Sequence, residues 1–215
     1  GRGWGRGAEG GLAEHLQVVN MAEPRTLVLR VEGTNCDEET AVAFREAGSI
    51  VDLAHINELK NGKRRLEDYQ ILAIPGGFSH GDDVAAGRIL AIQLRYEIWQ
   101  QLRRFMEEGM LVIGICNGFQ ALVKAGLLPG GGFMGRQVVS LGPNDSGYFV
   151  DRWVYLRHDS RGRCVFTRGV KPVIYLPVNH GEGKFIADPK VMGELEENDQ
   201  VVFRYVKGDG RAAEG

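Results

Sequence analysis

One cysteine, Cys116, lies in a sequence pattern typical of a catalytic nucleophile. The segment Gly-Ile-Cys-Asn-Gly (114–118) follows the apolar run 110–115 and precedes a helical pattern that begins at Asn117. A nucleophile in a tight strand-to-helix turn needs small neighbours, because the backbone folds back on itself there. The helix N-terminus would favour negative charge on the sulfur and on an oxyanion. A buried structural cysteine is the alternative, and the flanking strand and helix favour the nucleophile.

A glycine-rich segment, Pro-Gly-Gly-Phe-Ser-His-Gly-Asp-Asp (75–83), follows a second predicted strand. Loops at the carboxyl ends of parallel strands meet at the ligand crevice of a sheet. Glycines here would let the backbone approach a substrate and could supply a second N–H group for an oxyanion. No Gly-Lys-Ser/Thr follows, which argues against a phosphate-binding P-loop. The adjacent Asp82 and Asp83 are more typical of a helix cap than of a metal site, so no metal is expected.

A third segment, Asn-His-Gly-Glu-Gly (179–183), offers the other residue types that a cysteine nucleophile uses. Such a nucleophile needs a histidine base and often a carboxylate that orients it. In an extended segment His180 and Glu182 would point to the same side, so the residue types alone permit a Cys116–His180–Glu182 triad. The alternative is a strand end whose polar groups serve local structure. Cys36 and Cys164 lie outside any such turn and are expected to be inert.

The first half of the chain alternates apolar, β-rich runs with helical patterns, which predicts a parallel sheet with right-handed crossovers. Strands are expected at 26–31, 50–55, 69–74 and 110–115, and helices at 37–47, 87–108 and 117–125. The second half is β-rich with Gly, Pro, Asn and Asp between the runs, which indicates a mixed β extension. Its strands are expected at 137–141, 148–157, 173–177 and 201–206, with one short helix near 189–197.

The overall composition is that of an ordinary globular protein. Of 215 residues, 43% are hydrophobic and 25% charged, and the net charge of −2 gives no reason to expect nucleic acid or a membrane surface as partner. Three cysteines fit neither a disulfide framework nor a zinc site and suit the reducing cytoplasm. One α/β domain is expected over 25–215. Residues 1–24 contain Met21, the first plausible start, and are expected to be a non-native or disordered extension.

Several of these segments together closely resemble the glutaminase subunits of phosphoribosylformylglycinamidine synthases, which are class I glutamine amidotransferases. The matching segments are Gly-Thr-Asn-Cys (33–36), Pro-Gly-Gly-Phe-Ser (75–79) with Gly81-Asp82, Gly-Ile-Cys-Asn-Gly-Phe-Gln (114–120), Asp-Ser-Gly (145–147) and His-Gly-Glu-Gly (180–183). The likeness extends from about residue 25 to residue 206. The shared order of so many motifs argues against chance.

The resemblance implies a flavodoxin-like α/β fold, with a central, mostly parallel sheet and helices on both faces. It implies that Cys116 is the nucleophile that forms a glutamyl thioester, with the backbone N–H groups of Gly77 (or Phe78) and Asn117 as the oxyanion hole. No cofactor is expected in this subunit. L-glutamine would be hydrolysed to glutamate and ammonia. A separate synthetase subunit would use the ammonia, ATP and Mg²⁺ to make formylglycinamidine ribonucleotide in purine biosynthesis, with a small third subunit bridging the two.

Two features depart from the family pattern. The family's catalytic histidine and glutamate lie in a Pro-His-Pro-Glu segment near the C-terminus, and this sequence contains none, so a chain truncated at its C-terminus is expected. His180 and Glu182 belong to a separate family motif, and the base role is not transferred to them. The second departure is His80, where the family has tyrosine. A tolerated replacement is favoured there over a substitute base.

Three functions are compatible with these motifs. The leading hypothesis is a glutaminase subunit that hydrolyses glutamine slowly, because a thiol without its base loses about 10²–10⁴-fold in rate. The second is a non-catalytic module of the same fold that docks on the synthetase. The third, a cysteine-dependent redox or glyoxalase-like enzyme, is the weakest, because the motifs at 75–83 and 180–183 are of the purine type.

Overall fold

A parallel sheet forms the framework on which Cys116 is placed. The computed structural model describes residues 23–78 and 87–213, and within them the first half of the chain forms four parallel strands. These are β1 (Arg25–Arg30), β2 (Ile50–His55), β3 (Ile71–Ile74) and β4 (Leu111–Gly114). Their order is β2-β1-β3-β4, and every neighbouring pair is parallel. The prediction of a parallel central sheet is therefore confirmed.

Helices cover both faces of this sheet. They are α1 (Asp37–Glu46), α2 (Ile56–Lys60), α3 (Arg88–Tyr96), α4 (Trp99–Glu107) and α5 (Asn117–Lys124). On one face Val28 and Ala73 pack with Ala41 of α1. On the other face the alternate residues of the same strands, Leu27 and Leu72, belong to a larger cluster with the apolar residues of α2 to α5. Buried strands with apolar residues on both faces are what a parallel sheet between two helical layers requires.

The single helix predicted over 87–108 is wrong, because the chain forms two helices there. α3 ends at Tyr96 and α4 begins at Trp99. Between them Ile98 has φ −128° and ψ 14°, outside the helical region, while its side chain is only 1% exposed in the main core. The helical spacing of apolar residues continues across this break, so the sequence pattern could not reveal it. Every helix in the described residues is too short or too polar to cross a membrane.

The second half adds two antiparallel sheets. Its strands are β5 (Val139–Pro143), β6 (Val150–His158), β7 (Val173–His180), β8 (Glu182–Ala187) and β9 (Phe203–Val206), and its helix is α6 (Pro189–Glu197). β5 pairs with β8, and β6 pairs with both β7 and β9. The chain therefore leaves one sheet at His180 and enters the other at Glu182, and β8 was not predicted. Val139 of β5 and Leu195 of α6 pack with Val123 of α5, which joins this half to the parallel sheet.

A polar network ties the edge of the parallel sheet together. The Asp52 carboxylate in β2 accepts hydrogen bonds from the Arg25 guanidinium in β1 at 3.0 Å and from the Tyr69 hydroxyl at 2.9 Å. The Arg64 guanidinium lies 3.2 Å from the same carboxylate. Burial alone would raise the pKa of Asp52, but the hydrogen bonds from Tyr69 and Arg25 and the charge of Arg64 outweigh it. The pKa therefore lies below the ordinary value of 3.8.

This network predicts a pH-dependent contribution to stability. The pKa of Asp52 is lower in the folded than in the unfolded state. Its ion pairs therefore stabilise the fold at pH values above 3.8, the ordinary pKa of an aspartate. Their contribution is lost as the pH falls through the folded-state pKa. We expect Asp52→Asn to lower the free energy of unfolding by about 1 kcal/mol at pH 7 and by progressively less below pH 4. Urea denaturation across this range measures the difference.

Glu46→Gln serves as the control, because Glu46 is an exposed carboxylate at the end of α1. An Asp52→Asn effect of the same size at pH 7 and at pH 3 would contradict the assignment.

Candidate active site

Cys116 occupies a strained turn between β4 and α5. Its φ is 51° and its ψ −111°, a backbone conformation that residues other than glycine rarely adopt. The Gly118 N–H donates to the Ile115 carbonyl at 2.9 Å, and the Gln120 N–H donates to the Cys116 carbonyl at 3.0 Å, so the helix begins at once after the turn. The side chain of Cys116 is exposed. The strand–turn–helix arrangement expected from the sequence is therefore present.

The two glycines that flank the turn are required by close backbone approaches. A Cβ on Gly114 would lie 2.7 Å from the carbonyl oxygen of Gly118. A Cβ on Gly118 would overlap the carbonyl oxygen of Ile74, the last residue of β3. The first turn of α5 thus rests directly on the end of the neighbouring strand, and a larger residue at either position would displace Cys116.

The glycine-rich loop after β3 lies beside Cys116, as the sequence predicted. A Cβ on Gly76 would be 3.2 Å from the Cβ of Cys116. Gly77 has φ +120° and packs so tightly against Asn35 that a side chain there would overlap the Asn35 amide. The Asn35 Oδ1 atom also accepts the Phe78 N–H at 3.3 Å. The Phe78 N–H thus has a partner in Asn35, and the oxyanion role of Gly77 stays a prediction.

The segment 179–182 forms a further wall of the site, but His180 and Glu182 do not pair with each other there. The Cys116 Sγ atom lies 3.9 Å from the carbonyl oxygen of Asn179. His180 Nδ1 is hydrogen-bonded to Asn144 Oδ1 at 2.9 Å, and Glu182 Oε2 lies 3.2 Å from the Lys124 ammonium. Glu182 is thus engaged by a lysine and does not orient the imidazole. Asn144 is therefore the side-chain partner of His180 Nδ1, and the expectation that His180 is not the catalytic base stays a prediction.

These elements enclose one open cavity of about 1030 Å³ that holds Gly77, Cys116, Asn117 and His180 among its lining residues. Cys36 also faces this cavity. Burial, followed by the negative charge of Glu39, raises the pKa of the Cys36 thiol, so that thiol is kept protonated. The expectation that Cys36 is inert stays a prediction.

Several residues of the site could not be identified from the sequence, because their roles depend on contacts between distant segments. They are Asn35, Gln120, Lys124, Asn144 and Phe149. Asn35 and Gln120 lie inside motifs that carry the family resemblance, which was the available signal. His80, Asp82 and Asp83 lie outside the described residues. Within those residues, no three His, Cys, Asp or Glu side chains are grouped as a metal site would need.

The close approach at Gly118 predicts that adding one methyl group there strongly lowers the free energy of unfolding. We expect Gly118→Ala to lower the free energy of unfolding by about 2 kcal/mol or more, because the Ile74 carbonyl cannot move without distorting β3. Gly193→Ala is the matched control, since Gly193 lies inside α6 with no atom within 4 Å of its Cβ position. It should stabilise the protein by about 0.5–1 kcal/mol. Equal effects of the two substitutions in urea denaturation would contradict the close approach.

Comparisons with known proteins agree with this geometry. Residues 23–215 match the model of the CobB/CobQ-like glutamine amidotransferase domain. Phosphoribosylformylglycinamidine synthase subunit PurQ of Dehalococcoides mccartyi is 49% identical over 191 residues, which cover 89% of this chain and 72% of that protein. PurQ of Methanococcus maripaludis is 41% identical over 194 residues, which cover 89% of this chain and 70% of that protein.

A solved structure shows the same relationship. The structure of PurLQS from Thermotoga maritima contains a chain that superimposes with a TM-score of 0.69 at 31% identity, covering 89% of this chain and 80% of that one. Sequence, domain model and three-dimensional structure therefore agree, and the chain belongs to the PurQ family of class I glutamine amidotransferases.

Proposed function

We propose that the chain hydrolyses L-glutamine to glutamate and ammonia as the glutaminase subunit of a phosphoribosylformylglycinamidine synthase. The observation that carries the proposal is the strained turn that presents the exposed Cys116 to a cavity shared with Gly77 and Asn117. The match to a glutamine amidotransferase domain supports glutamine as the amide donor, and the relatives named phosphoribosylformylglycinamidine synthase subunit PurQ support the synthase as the complex that it serves. The redox or glyoxalase-like alternative and the non-catalytic docking module have no comparable support.

The chemistry starts with attack of the Cys116 sulfur on the side-chain amide carbon of glutamine. The tetrahedral oxyanion is stabilised by the backbone N–H groups of Gly77 and Asn117, and the positive end of the α5 dipole adds to this field. Loss of ammonia leaves a glutamyl thioester, and water then releases glutamate and restores the thiol. One glutamine and one water thus give one glutamate and one ammonia.

The partners follow from the relatives. The PurLQS structure from Thermotoga maritima bears the names of three subunits, and this chain is proposed to join a synthetase subunit and a small bridging subunit in the same way. Ammonia passes to the synthetase subunit, which uses ATP and Mg²⁺ to form formylglycinamidine ribonucleotide. The glutaminase subunit itself is proposed to need no cofactor, and the complex to act in the cytoplasm.

The proposed nucleophile can be tested by affinity labelling. A chloroketone analogue of glutamine should alkylate Cys116 with displacement of chloride, and L-glutamine should protect against it, because both occupy the same cavity. Cys116→Ser should abolish the labelling, measured by intact-protein and peptide mass spectrometry. Cys164→Ser is the matched control, since Cys164 does not line this cavity, and it should label like the parent. Labelling of another cysteine, or no protection by glutamine, would overturn the proposal.

A further inference from the structure

We propose that Gln120 and Lys124 are positioning residues for glutamine, because they hold Glu182 and thereby fix the wall 179–182 against Cys116. We call the three residues Gln120, Lys124 and Glu182 the Glu182 clamp. The inference rests on the proposed function and names side chains that set where the substrate lies relative to the sulfur.

The Glu182 clamp makes two contacts of different kinds. The Gln120 amide Nε2 donates to the backbone carbonyl of Glu182 at 2.9 Å, and the Lys124 ammonium lies 3.2 Å from the Glu182 carboxylate. Gln120 is 7% exposed, and in the ion pair the Lys124 side chain is 16% and the Glu182 side chain 33% exposed. An ion pair with this degree of burial is screened less by salt than a surface pair, and a buried amide holds its partner in one geometry. One residue is thus fixed through both its main chain and its side chain.

The clamp connects the wall 179–182 to Cys116 through helix α5. Gln120 and Lys124 follow Cys116 by four and eight residues, so they lie about one and two turns along the helix that begins at the nucleophile. The start of α5 packs directly against the end of β3, since there is no room for a side chain between Gly118 and the Ile74 carbonyl. The distance between Cys116 and Glu182 is therefore set by a helix that is fixed at its start.

The wall changes sheets at Gly181, while the residues on either side of it are held by strand pairing. β7 ends at His180 and β8 begins at Glu182 in a different sheet, so Gly181 belongs to neither. On the far side Asn144 supplies the missing bonds. Its Nδ2 donates to the His180 carbonyl at 2.7 Å, and its backbone N–H donates to the Gly181 carbonyl at 3.0 Å. Asn144, through its side chain and its backbone, and Gln120, through its side chain, thus hold the crossing between the two sheets.

The held segment faces the reacting atoms. Asn179, His180, Gly181 and Glu182 line the same cavity as Cys116, and the Asn179 carbonyl lies 3.9 Å from the sulfur. A shift of the wall would move the Asn179 carbonyl relative to the sulfur and would change the space in which glutamine must place its amide carbon. Misplacement by about 1 Å costs up to about 100-fold in a reaction that depends on orientation. The clamp is therefore expected to act on the orientation of the substrate more strongly than on the reactivity of the thiol, which contacts the wall only through the Asn179 carbonyl.

Two electrophiles separate a positioning role from a structural one. Iodoacetamide reports only whether the Cys116 thiol is accessible and reactive, whereas the chloroketone analogue of glutamine must also be oriented. We expect Lys124→Met to slow alkylation by the analogue about 10-fold or more while the iodoacetamide rate changes less than about 2-fold. Lys124→Arg, which keeps the charge, should recover most of the loss. Glu182→Gln keeps the carbonyl that Gln120 holds and should act like Lys124→Met, and the double variant should be no worse than either single one.

Lys60→Met is the matched control. The Lys60 ammonium lies 3.2 Å from the Glu97 carboxylate, the same distance as in the Glu182 clamp, but that pair joins α2 to the end of α3 and does not line the cavity. It should leave both rates unchanged. Circular dichroism confirms that each variant folds, and Glu182→Gln tests the inference if Lys124→Met does not fold.

The two alkylation rates distinguish failure of the positioning role from failure of the proposed function. An equal fall in both rates, or no fall with the analogue, would overturn the positioning role and leave the proposed function standing. Absence of selective labelling in the parent protein would overturn the proposed function, and the inference with it.

Discussion

The backbone of α5 starts in direct contact with the end of β3, where Gly118 leaves no space between the helix and the Ile74 carbonyl. Beside this approach the chain passes from β4 to α5 in a turn with positive φ at Cys116. The same approach brings the loop after β3 alongside, so that Gly76 lies against the cysteine side chain. The proposed nucleophile, the proposed oxyanion donors and the start of α5 thus all depend on this one contact, and a methyl group added at Gly118 is expected to move all of them.

The parts of the site that the sequence predicts are those built within a few residues. Gly114 and Gly118 are local requirements of the turn at Cys116, and the strand and helix on either side have clear apolar patterns. The parallel sheet is equally accessible, because alternating strands and helices leave few topologies. The family motifs then extend the prediction to Gly77, whose tight packing against Asn35 explains why a glycine must be there.

The remaining parts depend on contacts that no local pattern encodes. Lys124 meets Glu182 across 58 residues, and Asn144 meets His180 across 36. The break at Ile98 was missed because a buried residue fits the helical spacing whether or not the helix continues. The residue types alone also permit a Cys116–His180–Glu182 triad. That triad is not formed, because Glu182 pairs with Lys124, a contact between distant segments that the sequence does not reveal.

α5 has eight residues, and most of them make contacts that a single substitution would disrupt. Asn117 faces the cavity, Gly118 meets β3, Ala121 and Leu122 fill the main core, and Val123 joins the second half of the chain. Gln120 and Lys124 carry the Glu182 clamp. α5 is therefore expected to tolerate few single substitutions. Changes in substrate specificity are expected to come from substitutions in the loops that face it.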